Sequence, residues 1–239
     1  MPRKLADTLA WAGDGAAHLR GLMTRMGDDA FAAPSALAGW SRAHVLTHVA
    51  RNADAMINLL TWARTGVPTP AYADDQQRDA DIAAGAEREP AVIRDDVITS
   101  SDRLAQVVAA MPERAWSARV TNRQGTSIPA TDIPWTRARE MWIHAVDLDV
   151  GASFVDIPGP MLAELISDVV AALGLQPNCP TLRLVATDQK LSWKLGQDSD
   201  PDEVRGPAAG LAAWLVGRSK GRDLRTVDGN RPPAPPRWL

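Results

Sequence analysis

Four long stretches of this chain repeat apolar side chains every three to four residues, the spacing of helices that must bury one face. Residues 3–26 carry Leu5, Leu9, Ala12, Ala16, Leu19, Leu22 or Met23, and Met26 in that register. Gly13 and Gly15 interrupt the stretch and weaken a helix by roughly 1 kcal/mol each relative to Ala, so packing has to compensate. A second helix runs from Ser41, an N-cap residue, to Gly66, a C′ residue, with Val67-Pro68 barring continuation. Val45, Val49, Met56, Leu59 and Leu60 supply its apolar face. A third spans 91–111, with Val92, Ile93, Val97, Ile98, Leu104, Val107 and Val108 inward and Pro112 at its end. The fourth begins near Pro134, where a missing N–H does little harm. Between the second and third, residues 67–90 read as a long polar connection with helical turns over 75–85, and long connections often cover sites. Residues 112–133 read as a loop or hairpin around Asn122-Arg123-Gln124-Gly125.

From about Ser153 the pattern changes. A helix over 161–173 precedes two alternating runs, TLRLVAT and KLSWKLG, parted by Asp188-Gln189 as in a β-hairpin. A polar turn, QDSDPDE, an apolar helix, PAAGLAAWLVGR, and a Pro-rich extended strap, NRPPAPPRWL, complete the chain. The expected fold class is therefore mainly α with an α+β C-terminal domain: a four-helix bundle over residues 1–152 and a small α+β domain over 153–239.

Charge and composition narrow the partners. A net charge of -3 gives no electrostatic case for nucleic acid or an anionic membrane. No run of about 18 apolar residues suggests a membrane span, and the N-terminus lacks the apolar core of a secretory signal. Cys179 is the lone cysteine, so neither an internal disulfide nor a cysteine-based zinc cluster is available. A cytoplasmic monomer is expected.

The stretch WTRAREMWIHAVDLDVG, Trp135 to Gly151, places Glu140 and His144 one helical turn apart on one face. A carboxylate and an imidazole so placed can share a metal ion, but a catalytic zinc usually takes three protein ligands and leaves one position open. Only His18, His44 and His48 remain as histidine donors, and His48 in the second helix is the best placed. His44 and His48 are themselves four apart, which leaves His44 as a rival. Their HVLTH run resembles the HExxH metalloprotease helix without its glutamate base, so protease chemistry is not expected. A lone helical histidine is more often a partly buried polar group than a ligand, and spacing alone leaves metal binding open.

Beyond spacing, GWSRAHVLTHVARNADAMINLL and the pattern W-x-R-x-R-E-x-W-x-H-A-V-D-L resemble the mycothiol-dependent maleylpyruvate isomerase family. The resemblance continues through PAYADDQQRDADIAAGA and FVDIP to AAWLVGR, nearly the whole chain. It implies a DinB-like four-helix bundle followed by a small α+β domain, with zinc held by His48, Glu140 and His144 and with His44 not a ligand. It also implies conversion of maleylpyruvate to fumarylpyruvate in gentisate breakdown, with a low-molecular-weight thiol as cofactor. Mycothiol is the thiol implied; ergothioneine or another small thiol satisfies the same chemistry. Thiolate addition turns the double bond into a rotatable single bond, and elimination restores it as the trans isomer. Zinc would keep the thiol deprotonated. The dianionic substrate needs an arginine clamp. The resemblance points to Arg218, which would make the interdomain cleft the binding site, and Arg78 in the covering connection is a second candidate.

Asp147, one turn past His144, is a candidate for orienting the imidazole. Cys179, with no basic neighbour in sequence, is expected to be a bystander. Two other functions fit the same fold: a zinc-dependent thiol S-transferase for detoxification, and a non-catalytic regulatory module in which the metal only braces the bundle.

Overall fold

The computed structural model describes residues 3–197 and 201–238, and the chain divides into two compact units, Met1–Ala152 and Ser153–Leu239. The first is helical. Its elements are α1 (Leu5–Arg25), α2 (Arg42–Thr65), α3 (Asp75–Ala86), α4 (Pro90–Ala109), a short hairpin of β1 (Arg119–Thr121) and β2 (Ser127–Pro129), and α5 (Ile133–Asp147). α2 begins and ends as its caps dictate: Ser41 Oγ accepts from the His44 backbone N–H, and Gly66 takes the left-handed conformation at φ 76°. The helical turns expected over 75–85 form a complete helix, α3, capped by Asp74.

Contacts fix the directions of the four long helices. His18 of α1 stacks on Trp142, and Trp11 meets Trp135 edge-on, so α1 and α5 run the same way. Arg42, at the start of α2, donates from Nε to the Leu148 carbonyl (2.7 Å) and from Nη2 to that of Asp149 (2.9 Å), just past the end of α5. α2 therefore opposes α5. Arg51 pairs with Asp96 and Asp54 with Arg103, so α2 and α4 are parallel. An up-down-down-up bundle needs one long crossover between its second and third members. α3 lies on that crossover, and its Gly85 sits where a Cβ would strike the Thr47 side chain of α2. Val92, expected inward, is 47% exposed because α4 turns Ile93 and Val97 to the core instead.

In the second unit, α6 (Gly159–Leu173) and α7 (Ala208–Leu215) pack against a sheet of β3 (Leu182–Ala186), β4 (Leu191–Leu195), β5 (Asp202–Gly206) and β6 (Arg225–Thr226). Its order is β4-β3-β5-β6. β3 and β4 form the expected antiparallel hairpin, with Leu184 opposite Trp193. β5 is a departure. Asp202 and Glu203, expected in the polar turn, belong to a strand parallel to β3, while residues 198–200 of that turn lie outside the described residues. The Pro-rich residues 230–238 form no regular element, as expected. No described helix is long and apolar enough to cross a membrane.

Candidate metal centre

His48 lies in the second turn of α2, 5% exposed, and faces the stretch of α5 that carries Glu140 and His144. Because the two helices are antiparallel and stapled by Arg42, one imidazole from α2 meets the carboxylate and imidazole stacked one turn apart on α5. His48 Nε2 is 2.8 Å from Glu140 Oε2, and His144 Nε2 is 3.1 Å from the same oxygen. The two rings stand edge-to-face with centroids 4.7 Å apart. One donor atom from each residue lies within 4.8 Å of the other two. Three donors so gathered suit one tetrahedral ion with a fourth position left over.

His44 is engaged elsewhere. Its Nδ1 lies 2.7 Å from Ser41 Oγ in the reciprocal cap that starts α2. The rival spacing is thereby spent on helix initiation.

Electrostatics divide the two histidines. Burial lowers the His48 pKa, with help from the charges of His144 and Arg78 and against a hydrogen bond to Glu140. Burial also disfavours charge on His144, but hydrogen bonds to Asp147 and Glu140 outweigh it and lift that ring to about 9. For Glu140, too, burial opposes the charge, yet the contacts from His144 and His48 hold its carboxyl well below the usual range. Without metal, then, His144 is an imidazolium that donates from Nδ1 to the fully buried Asp147 (2.9 Å) and from Nε2 to Glu140. Arg78 Nη2 donates to His48 Nδ1 across 3.2 Å, which leaves the neutral ring's proton on Nε2, facing Glu140.

Arg78 thus reaches the cluster from α3. Its guanidinium also pairs with Asp79 (2.6 Å) and lies 5.8 Å from the centre of the Tyr72 ring. Burial, then the Glu140 charge, raises the Tyr72 pKa. Trp40 stands 5.7 Å from His48. Spacing arguments miss both aromatics. The available signals are Tyr72's standing as the only tyrosine, inside a polar connection, and Trp40's place just before the α2 N-cap.

Arg137, another residue of the motif on α5, is also buried. Burial lowers its pKa to about 10, while the charges of Glu140, Tyr72 and Asp54 act in the opposite direction. Arg218 belongs to the second unit, in the turn after α7, where it is exposed and its Nη1 donates to the Val216 carbonyl (3.1 Å). Cys179 lies in the loop before β3, half-buried, and burial pushes its thiol pKa up, away from reactivity.

Comparison with known proteins adds three findings. The family described as "Mycothiol maleylpyruvate isomerase N-terminal domain" matches residues 12–149. A crystal structure of the mycothiol-dependent maleylpyruvate isomerase is 33% identical with a TM-score of 0.92, covering 99% of this chain and 98% of that one. A crystal structure of a histidine-to-alanine mutant of that enzyme matches with the same identity, coverage and TM-score. No curated protein matches the chain.

Proposed function

The chain belongs to the mycothiol maleylpyruvate isomerase family, and on that premise we propose that it is a thiol-dependent cis–trans isomerase converting maleylpyruvate to fumarylpyruvate in gentisate breakdown. The observation that carries the reading is the convergence of His48, Glu140 and His144 on a common point. We assign these three residues as zinc ligands and mycothiol as the thiol, with ergothioneine as the alternative.

The donor set fits the ion. It offers two imidazoles and one carboxylate, and the Asp147 carboxylate fixes the His144 proton on Nδ1, leaving Nε2 to ligate. His48 would ligate through Nε2 only with its own proton on Nδ1, where the Arg78 guanidinium now donates. Arg78 would then have to leave the ring, which frees its guanidinium for the substrate. When bound, zinc supplies a Lewis-acidic centre that keeps a small thiol as its thiolate.

The remaining work belongs to the chain. Attack of thiolate sulfur on the alkene moves an electron pair onto the conjugated carbonyl oxygen; the resulting single bond turns, and expulsion of the thiolate restores a trans double bond. No net proton is consumed. A guanidinium beside the developing enolate stabilises it, and Arg78 stands next to the cluster to do so. Tyr72 and Trp40 supply flat walls beside the cluster that help exclude water. Arg218 is assigned as the clamp for the second carboxylate of the dianion. This chemistry belongs in a reducing cytoplasm.

The test is a direct assay. Metal-replete protein is mixed with maleylpyruvate and, in turn, mycothiol, ergothioneine or glutathione, and loss of the cis isomer is followed. Catalytic conversion to the trans isomer with the thiol recovered is the expected result. Accumulation of a stable thioether would instead make the protein an S-transferase. No turnover with any thiol, despite full metal content, would leave the metal a brace for the bundle.

A further inference from the structure

A second feature of the bundle lies one helical turn before Glu140 on α5. Arg137 is 4% exposed, yet every acceptor its guanidinium reaches is neutral. Nη1 donates to the Val49 carbonyl and to Asn52 Oδ1, both at 2.8 Å, and Nη2 to Ser101 Oγ at 3.3 Å. Of the five N–H groups of a guanidinium, the one on Nε and one on Nη2 find no acceptor among the described residues, nor does any carboxylate there pair with Arg137. A buried cation with no carboxylate in direct contact is poorly compensated by the more distant Glu140 and Asp54, and an anion supplied from outside relieves it.

There is room for one. Arg137 lines a groove of about 250 Å³ between α1 and α4, which touch each other only sparsely while α1 packs along α5 and α2 along α4. Its walls include Leu9 and Ala16 of α1, Leu60 of α2, and Leu104 and Val108 of α4, and among the described residues Arg137 is the only charged side chain lining it. At its exposed rim, Gly13 and Ala105 leave the mouth open. The groove exceeds the roughly 150 Å³ that suffices for benzene in an apolar cavity. A single guanidinium with one supporting hydroxyl matches a singly charged head better than a phosphate dianion. We propose that this groove binds an amphiphilic monocarboxylate, its carboxylate on Arg137 and its short apolar body between α1 and α4.

The test uses the full metal-replete chain, with sodium octanoate and its neutral counterpart 1-octanol as probes in calorimetric titrations. One saturable octanoate site per chain is expected, with octanol at least about tenfold weaker because the charged head contact is lost. Ala105→Trp, which fills the mouth from an exposed position, should weaken octanoate at least about tenfold with an unchanged helical circular dichroism signal. Arg137→Gln should erase the preference for octanoate over octanol. Removing the metal with a chelator should leave binding in place. The assignment fails if millimolar octanoate shows no saturable binding, if octanol binds as tightly, or if Ala105→Trp binds as the parent does. It also fails if chelation abolishes binding while the helical signal persists, since octanoate would then sit at the metal cluster.

Discussion

Glu140 Oε2 serves two imidazole nitrogens at once, and the protonation of those rings would decide when the proposed metal enters. In the metal-free protein, the raised pKa of His144 stabilises the fold fully below the ordinary value of 6.5, and the contribution is lost as the pH rises through about 9. Metal entry has the opposite sign, because ligation strips the Nε2 proton. Apparent zinc affinity should therefore climb about tenfold per pH unit and level off near 9, measured against a competing chelator. A flat profile would mean that His144 is already neutral. Asp147→Asn removes the carboxylate that orients this ring and should weaken zinc binding about ten- to a hundredfold while the protein stays folded. An unchanged affinity would reduce Asp147 to a packing residue. Sequence reached Glu140 and His144 because a helical period of four residues is local. It preferred His48 but kept His44 as a rival, since the two are themselves one helical turn apart. What separates them is a cap hydrogen bond, Ser41 to His44, and the facing of two helices ninety residues apart, neither of which spacing expresses.

Among the helices, the two glycines of α1 read alike in sequence and differ in place. A Cβ at Gly15 would lie 2.8 Å from both Met141 Cβ and the Trp142 ring, so the missing side chain lets α1 close on α5. A Cβ at Gly13 would meet nothing within 4 Å. Gly15→Ala should destabilise by about 1–3 kcal/mol and Gly13→Ala should stabilise by about 1 kcal/mol, read from urea unfolding midpoints. Shifts of the same sign would contradict this account of the α1–α5 seam. The long helices were legible because each has its own stripe and punctuation, as Ser41 and Gly66 mark α2. β5 was not. Its one fully buried apolar side chain is Val204, and its strand character comes from pairing with β3, about twenty residues earlier. Val92 shows the same limit on α4: an apolar residue beside the stripe is indistinguishable from one within it until a neighbour is present.

At the scale of the whole chain, function as proposed draws on both units: metal ligands from the first, an arginine clamp from the second. Arg218→Ala should leave zinc content unchanged and lower turnover roughly ten- to a hundredfold, measured by steady-state kinetics alongside metal analysis. Normal kinetics would remove Arg218 from the site. The division near Ser153 showed in the sequence as a switch from helical to alternating periodicity, whereas the role of Arg218 came from resemblance alone. Arg42 carries a last consequence. By gripping two carbonyls at the far end of α5, it forbids that helix from slipping a turn along α2 unless both grips open together. Changes of length in the β1–β2 hairpin then leave the spacing of the donor atoms undisturbed. Such a seam holds its three donor atoms in place however the surface around it varies.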